Sequence, residues 1–176
     1  MFAKAGIISA VLVVSIASVA LGKGTESSSD DVPPEFAYTK TAKYRRFMAL
    51  IRAAEKGDVR SVRRYLRSGV KVDGQDVDDG VAPTDRPLAV AAEHGHLDVV
   101  NVLLVAGASP DWCCCSCVTA LHYAIRGKHA KVVARLLDAG SDPKILYDGE
   151  MSSLELARRS GDPEIVRMVE ERLTRR

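Results

Sequence analysis

Cysteine is absent from this 176-residue chain except at four positions packed between residues 113 and 117. A scaffold stapled along its length by disulfides is therefore excluded. A predominance of one charge is also missing. Lys plus Arg number 25 against 23 Asp plus Glu, for a net charge of +2, and the two signs are interspersed. From this overall balance no nucleic-acid footprint stands out. The sequence has no G-x-S-x-G elbow, no phosphate-cradling glycine loop and no H-E-x-x-H pair. No isolated cysteine stands with a histidine behind it. With no catalytic constellation, the expected function is binding, without enzymatic activity, cofactor or small-molecule substrate.

A long membrane-spanning run is missing too. Residues 6–21 form a 16-residue apolar stretch broken only by Ser9, Ser15 and Ser18, against the about 20 residues a spanning helix needs. Lys4 precedes it, and Ser18-Val19-Ala20 is a small-x-small cleavage pattern. Residues 1–22 are thus expected to be a cleaved secretory signal. An uncleaved anchor is the alternative, and would be the chain's one link to a membrane. No cysteine lies near the cleavage site for lipid attachment. Residues 23–42 open with a serine-rich polar stretch through Pro33-Pro34 and read as a flexible linker. The expected location is exported, either periplasmic or secreted.

What the chain does contain is a repeat. Leu50, Leu88, Leu121 and Leu154 are separated by 38, 33 and 33 residues. Three positions after each comes Ala53, Ala91, Ala124 or Ala157; seven after comes Gly57, Gly95, Lys128 (beside Gly127) or Gly161. Further on come the pairs Ser61-Val62, Val99-Val100, Val132-Val133 and Ile165-Val166, then Tyr65-Leu66, Leu103-Leu104, Leu136-Leu137 and Val169-Glu170. Leucine and alanine three apart share one helical face. Alanine allows a neighbouring helix to come close. The glycine ends the first helix. Asp58 and Asp162 stand as N-caps of the second, and Pro163 fits its first position. Each unit is a helix, a turn, a second helix and a loop. So short a pair cannot bury its own apolar face, and stacking must supply the core.

These residues resemble the ankyrin repeat family. The resemblance is clearest in Pro87-Leu88-Ala89-Val90-Ala91-Ala92-Glu93-His94-Gly95-His96-Leu97-Asp98-Val99-Val100 and in Thr119-Ala120-Leu121-His122-Tyr123-Ala124. It covers about residues 43–173. It implies an all-α solenoid of four helix–turn–helix units with projecting hairpin fingers. The domain is expected at residues 43–174, with units near 46–78, 84–116, 117–149 and 150–174. Ser61, Arg158 and Glu170 depart from the pattern in the end units, where capping repeats need polar surface. His96 and His122 fall where the family carries structural histidines.

The resemblance also implies a concave protein-binding face built from finger tips and first helices. Its positions here include Glu55-Lys56, Glu93-His94, Arg126-Gly127 and Arg159-Ser160, with Asp78, Asp79, Trp112, Cys113, Cys115, Ser116 and Val118. His94, Arg126 and Trp112 are expected at its centre, flanked by Glu93, Ser116 and Val118. Trp112, the only tryptophan, suits a binding anchor or packing against a neighbouring hairpin. The first inter-unit loop, Asp73-Gly74-Gln75-Asp76-Val77-Asp78-Asp79-Gly80, lacks the alternation of a calcium loop and reads as an acidic finger.

The cysteines fall on the second finger. Cys114 and Cys117 form the least strained pair, with Cys113 and Cys115 paired under strain or left for an intermolecular bond. A cross-linked finger suits an oxidising compartment. A working or partner-bridging thiol is a second reading. A metal site is a third, and a single cluster fits it poorly. Two functions follow: an exported adaptor or inhibitor that binds a protein, or a thiol-based redox or metal-handling protein.

Overall fold

The computed structural model describes residues 42–74, 86–112 and 118–175. The expected signal, nearly all of the linker, Asp78, Asp79, Ser116 and the four cysteines lie outside them. The described residues form eight helices: α1 (Ala42–Glu55), α2 (Val59–Arg67), α3 (Pro87–Glu93), α4 (Leu97–Val105), α5 (Ala120–Arg126), α6 (Ala130–Asp138), α7 (Ser153–Ser160) and α8 (Pro163–Thr174). They contain no strand. The third finger closes with a single bridge, in which Tyr147 N–H donates to Met151 O at 2.7 Å and Met151 N–H to Tyr147 O at 3.1 Å.

Helices α1, α3, α5 and α7 pack in one row, and α2, α4, α6 and α8 in a second. Burial along the repeat shows which side chains join the units. Val99, Val132 and Ile165 are buried, whereas Ser61 at the same place in the first unit is only half-buried. This column faces the preceding unit, and the first helix pair has none before it among the described residues. Val62, Val100 and Val133 are buried, but Val166 is half-exposed. That column faces the following unit. Ala54, Ala92 and Ile125 follow the same rule, and the exposed Arg158 takes their place in the fourth unit. The polar departures are therefore set by which face a neighbour covers.

The end units use these departures locally. Ser61 N–H donates to Asp58 Oδ1 at 3.1 Å, completing the N-cap of α2. The Ser61 hydroxyl and N–H hold the Asp58 carboxyl below its ordinary pKa. Arg158 and Glu170, both departures of the last unit, pair with each other at 3.0 Å. So exposed a pair contributes at most about 1 kcal/mol. Its main effect is to keep the outer face soluble. Asp162 caps α8, and Pro163 occupies its first turn as expected.

The turns between paired helices share one backbone conformation. Gly57, Gly95, Lys128 and Gly161 have φ of 69°, 73°, 58° and 75°. Glycine at Gly57 and Gly95 has a second cause. His96 Nε2 donates to Glu55 O at 2.8 Å, and His129 Nε2 to Glu93 O at 2.9 Å. Each ring thereby lies on the turn of the preceding unit. A Cβ on Gly95 would stand 2.5 Å from His129 Nδ1, and one on Gly57 would stand 2.8 Å from His96 Nδ1. In the fourth unit the same place holds Asp162, which turns to its own helix. The ring that demands glycine is thus missing opposite Lys128, leaving only the backbone penalty.

Two outcomes test this account. Lys128→Gly is expected to raise stability by about 1 kcal/mol, the usual cost of a left-handed non-glycine residue. Gly95→Ala adds that cost and also displaces His129, so it should lower stability by at least about 2 kcal/mol. Thermal and urea unfolding of both variants check the signs. Leu136, fully buried, should lose about 2–5 kcal/mol on truncation to alanine.

Candidate functional site

Two polar nodes tie the fingers to the helices. In the third unit, Thr119 N–H donates to His122 Nδ1 at 3.1 Å. That leaves the imidazole proton on Nε2, which lies 3.1 Å from both Ile145 O and Ser153 Oγ. Tyr147 meets the ring edge-on with centroids 5.6 Å apart. Burial pushes the His122 pKa down, against the opposing pull of the Ile145 carbonyl. His122 and Ser153 are both fully buried. Their pairing resembles a base beside a nucleophile, but Nε2 is the donor and neither atom reaches solvent. The node joins the third unit to its finger and to the fourth.

The second node is centred on Arg86, the repeat equivalent of Thr119. Its guanidinium donates to Asp73 O, lies 3.8 Å from the centroid of the Trp112 ring and 5.7 Å from that of Phe47. The Asp73 carboxylate accepts Ser109 N–H at 3.0 Å. Burial raises the Asp73 pKa, while Ser109 N–H and Arg86 oppose the rise. Trp112 therefore covers a buried cation at the base of its finger.

The expected binding residues divide accordingly. Glu93 and Arg126 come together: Arg126 Nη2 stands 2.6 Å from Glu93 Oε1, with both side chains over two-fifths exposed. The Arg126 guanidinium lies 4.9 Å from the centroid of the Tyr123 ring. Burial works against its charge, but Glu93 and the hydrogen-bonded Tyr147 hydroxyl outweigh it and raise the pKa. One half-exposed cluster thus gathers α3, α5 and the third finger. His94 is exposed beside it, its Nδ1 donating to Val90 O at 3.0 Å and its ring stacked on His96 at 6.0 Å. Trp112 does not join this cluster. It touches Arg86 at the start of α3, whereas His94 follows the end of that helix, about 10 Å further on. Val118 is half-buried at the end of the second finger. Glu55 and Lys56 are exposed, and Arg159 is paired with Glu155 at 2.8 Å.

Tyr123 and Tyr147 were not foreseen as site residues. Tyr123 precedes Arg126 by three positions on one helix, and that spacing signals a shared face. Tyr147 carries no such signal, because the finger's path brings it there.

The overall charge balance conceals a local excess. Residues 42–67 carry nine basic side chains against two acidic ones, Glu55 and Asp58. Among the described residues, no group of three histidines, cysteines or acids could hold a metal ion. None of their helices is long and apolar enough to cross a membrane.

The buried imidazole makes a pH prediction. An unfolded His122 takes up its proton near pH 6.5, and the folded ring only below that value. Its contribution to stability is therefore complete above pH 6.5, and is lost as pH falls through the lowered folded pKa. The midpoint of thermal unfolding should drop between about pH 7 and pH 5, and His122→Asn should flatten that slope while lowering the midpoint at neutral pH.

The family described as ankyrin repeats (3 copies) matches residues 50–147 and again 88–171. A protein of Caenorhabditis elegans described as BRCA1-associated RING domain protein 1 is 35% identical over 85 residues, which is 48% of this chain and 12% of that protein. The chain thus spans about an eighth of that relative, and the likeness is one of repeats. With the profile matched over most of the chain and four units stacked in phase, this protein belongs to the ankyrin repeat family.

Proposed function

We propose that this chain is an exported adaptor or inhibitor that holds a protein partner on the face formed by its first helices and fingers. Ankyrin repeats are protein–protein interaction modules, generally without enzymatic activity. The observation that carries the siting is Arg126. Glu93, Tyr123 and Tyr147 fix its position, yet nearly half of its side chain remains exposed. An oriented guanidinium loses little freedom on meeting a carboxylate or carbonyl, which favours it as a hot spot. Tyr123 and Tyr147 supply rigid apolar area beside it. His94 borders the same patch. Export rests on the leader-like pattern of residues 6–21.

The partner is to be isolated with the tagged chain from the exported fraction of its native host. Against that partner, Arg126→Ala combined with Tyr147→Ala is expected to weaken binding at least about tenfold while the helical signal persists. Unchanged affinity would move the site elsewhere. Replacing all four cysteines by serine should leave binding intact, whereas a function lost with them would favour the thiol reading. Intact mass of the native protein should show residues 1–20 or 1–22 removed, and their retention in a membrane fraction would contradict export as a soluble protein.

A further inference from the structure

We propose that the groove between α2 and α4, on the row of second helices, docks an acidic amphipathic helix of a partner protein. This surface is separate from the Arg126 face. It encloses a cavity of about 830 Å³. Its apolar lining is Val59 and Leu66 from α2 and Val102 from α4, with Val105 exposed at the rim. One wall carries Arg60, Arg63 and Arg67; the other carries Asp98 and Asn101.

Helix α4 indicates that something covers it. Seven of its nine residues are apolar. Val99, Val100 and Leu103 are spent on the core, yet Val102 and Val105 face the groove. Val105 is 84% exposed, the more open of the two large exposed apolar side chains among the described residues. Asp98 and Asn101 are the only polar residues of α4, so beyond Asn101 its outer side presents apolar surface to water. Helix α2 is the reverse, a strongly amphipathic segment whose outer side carries arginines. Arg60, Arg63 and Arg67 stand at i, i+3 and i+7, on one face. None forms an ion pair within the described residues. On the next groove of the row, by contrast, Arg135 Nε from α6 donates to Asn101 Oδ1 at 2.7 Å. The α6–α8 cavity is only about 160 Å³.

The chemistry selects the occupant. Two adjacent nine-residue helices give a trough about 13 Å long, the length of two to three turns of a third helix. Apolar anchors at i, i+3 or i+4, and i+7 of the partner would fill the floor. Carboxylates along one flank would meet the three guanidiniums, which form directional paired hydrogen bonds with them. Asp98 on the far wall opposes carboxylates on that side, so the acidic flank of the helix would lie along the three arginines.

The test uses the full mature chain and a labelled, helix-stabilised 15-residue peptide. The peptide has leucines on one stripe and glutamates on one flank; a second version carries lysines in their place. The glutamate peptide should bind, more weakly as salt rises, and the lysine peptide should not. Arg60→Glu with Arg63→Glu, and separately Val105→Asp, should each weaken binding at least about tenfold with the helical signal unchanged. Arg126→Ala should have no effect, which keeps this surface distinguishable from the one above. Equal binding of both peptides would overturn the proposal, as would indifference to the α2 and α4 substitutions. So would tighter, Arg63-dependent binding of phosphatidylglycerol vesicles or duplex DNA, or a dimer of the chain that Val105→Asp dissolves.

Discussion

Every described unit of this protein depends on burying apolar side chains against its neighbours, because two helices of seven to fourteen residues enclose almost nothing by themselves. The two columns of second-helix residues show the constraint. Val99, Val132 and Ile165 are sealed by the unit before; Val62, Val100 and Val133 are sealed by the unit after. Each such side chain contributes about 1.5–3 kcal/mol when fully buried, and only stacking supplies that burial. The same dependence explains Ser61 and Arg158. They are polar where no described neighbour covers them, and each takes a local partner in place of a packed one.

Hydrogen bonds then fix how the units stack, since apolar burial alone sets no register. His96 and His129 each reach back to a carbonyl of the previous first helix. The cost is borne by the turn, which must be glycine for the ring to lie on it. Where the histidine gives way to Asp162, Lys128 is accommodated. Arg86, Thr119 and Ser152, one repeat apart, solve the start of a first helix in three ways. Ser152 caps its own helix, Thr119 hands its N–H to His122, and Arg86 reaches back to the first finger. Only Arg86 among the three reaches an adjoining unit; Thr119 and Ser152 are satisfied within their own.

This division sets what could be read from the sequence. The helices and the N-caps at Asp58 and Asp162 follow from local spacing, so they were legible; the structural roles of His96 and His122 came from the resemblance to ankyrin repeats. The partners of His129 and Arg86 depend on which unit lies beside which, 36 and 13 residues away in the chain. Trp112 illustrates the limit. A lone tryptophan on a finger suits a binding anchor, but Arg86, an unusual residue at its position, takes one face of the ring. Tyr147 was missed for the same reason. The basic surface of α1 and α2 was hidden by averaging, because a net charge of +2 says nothing of nine cations collected on one helix pair.

Stacking of this kind does not use the outer sides of the two helix rows for contacts between the described units. The core consumes only the sides of each unit that meet neighbours. The first-helix row can therefore present the Arg126 cluster across α3, α5 and the third finger, while the second-helix row presents the arginine-walled groove of α2 and α4. The two surfaces share no residue, and each draws its shape from different elements. Coupling between them would have to pass through the packed alanines of α3 and the valines of α4. These have no space to adopt a second arrangement without opening the core. Ligands held on opposite rows would thus bind independently.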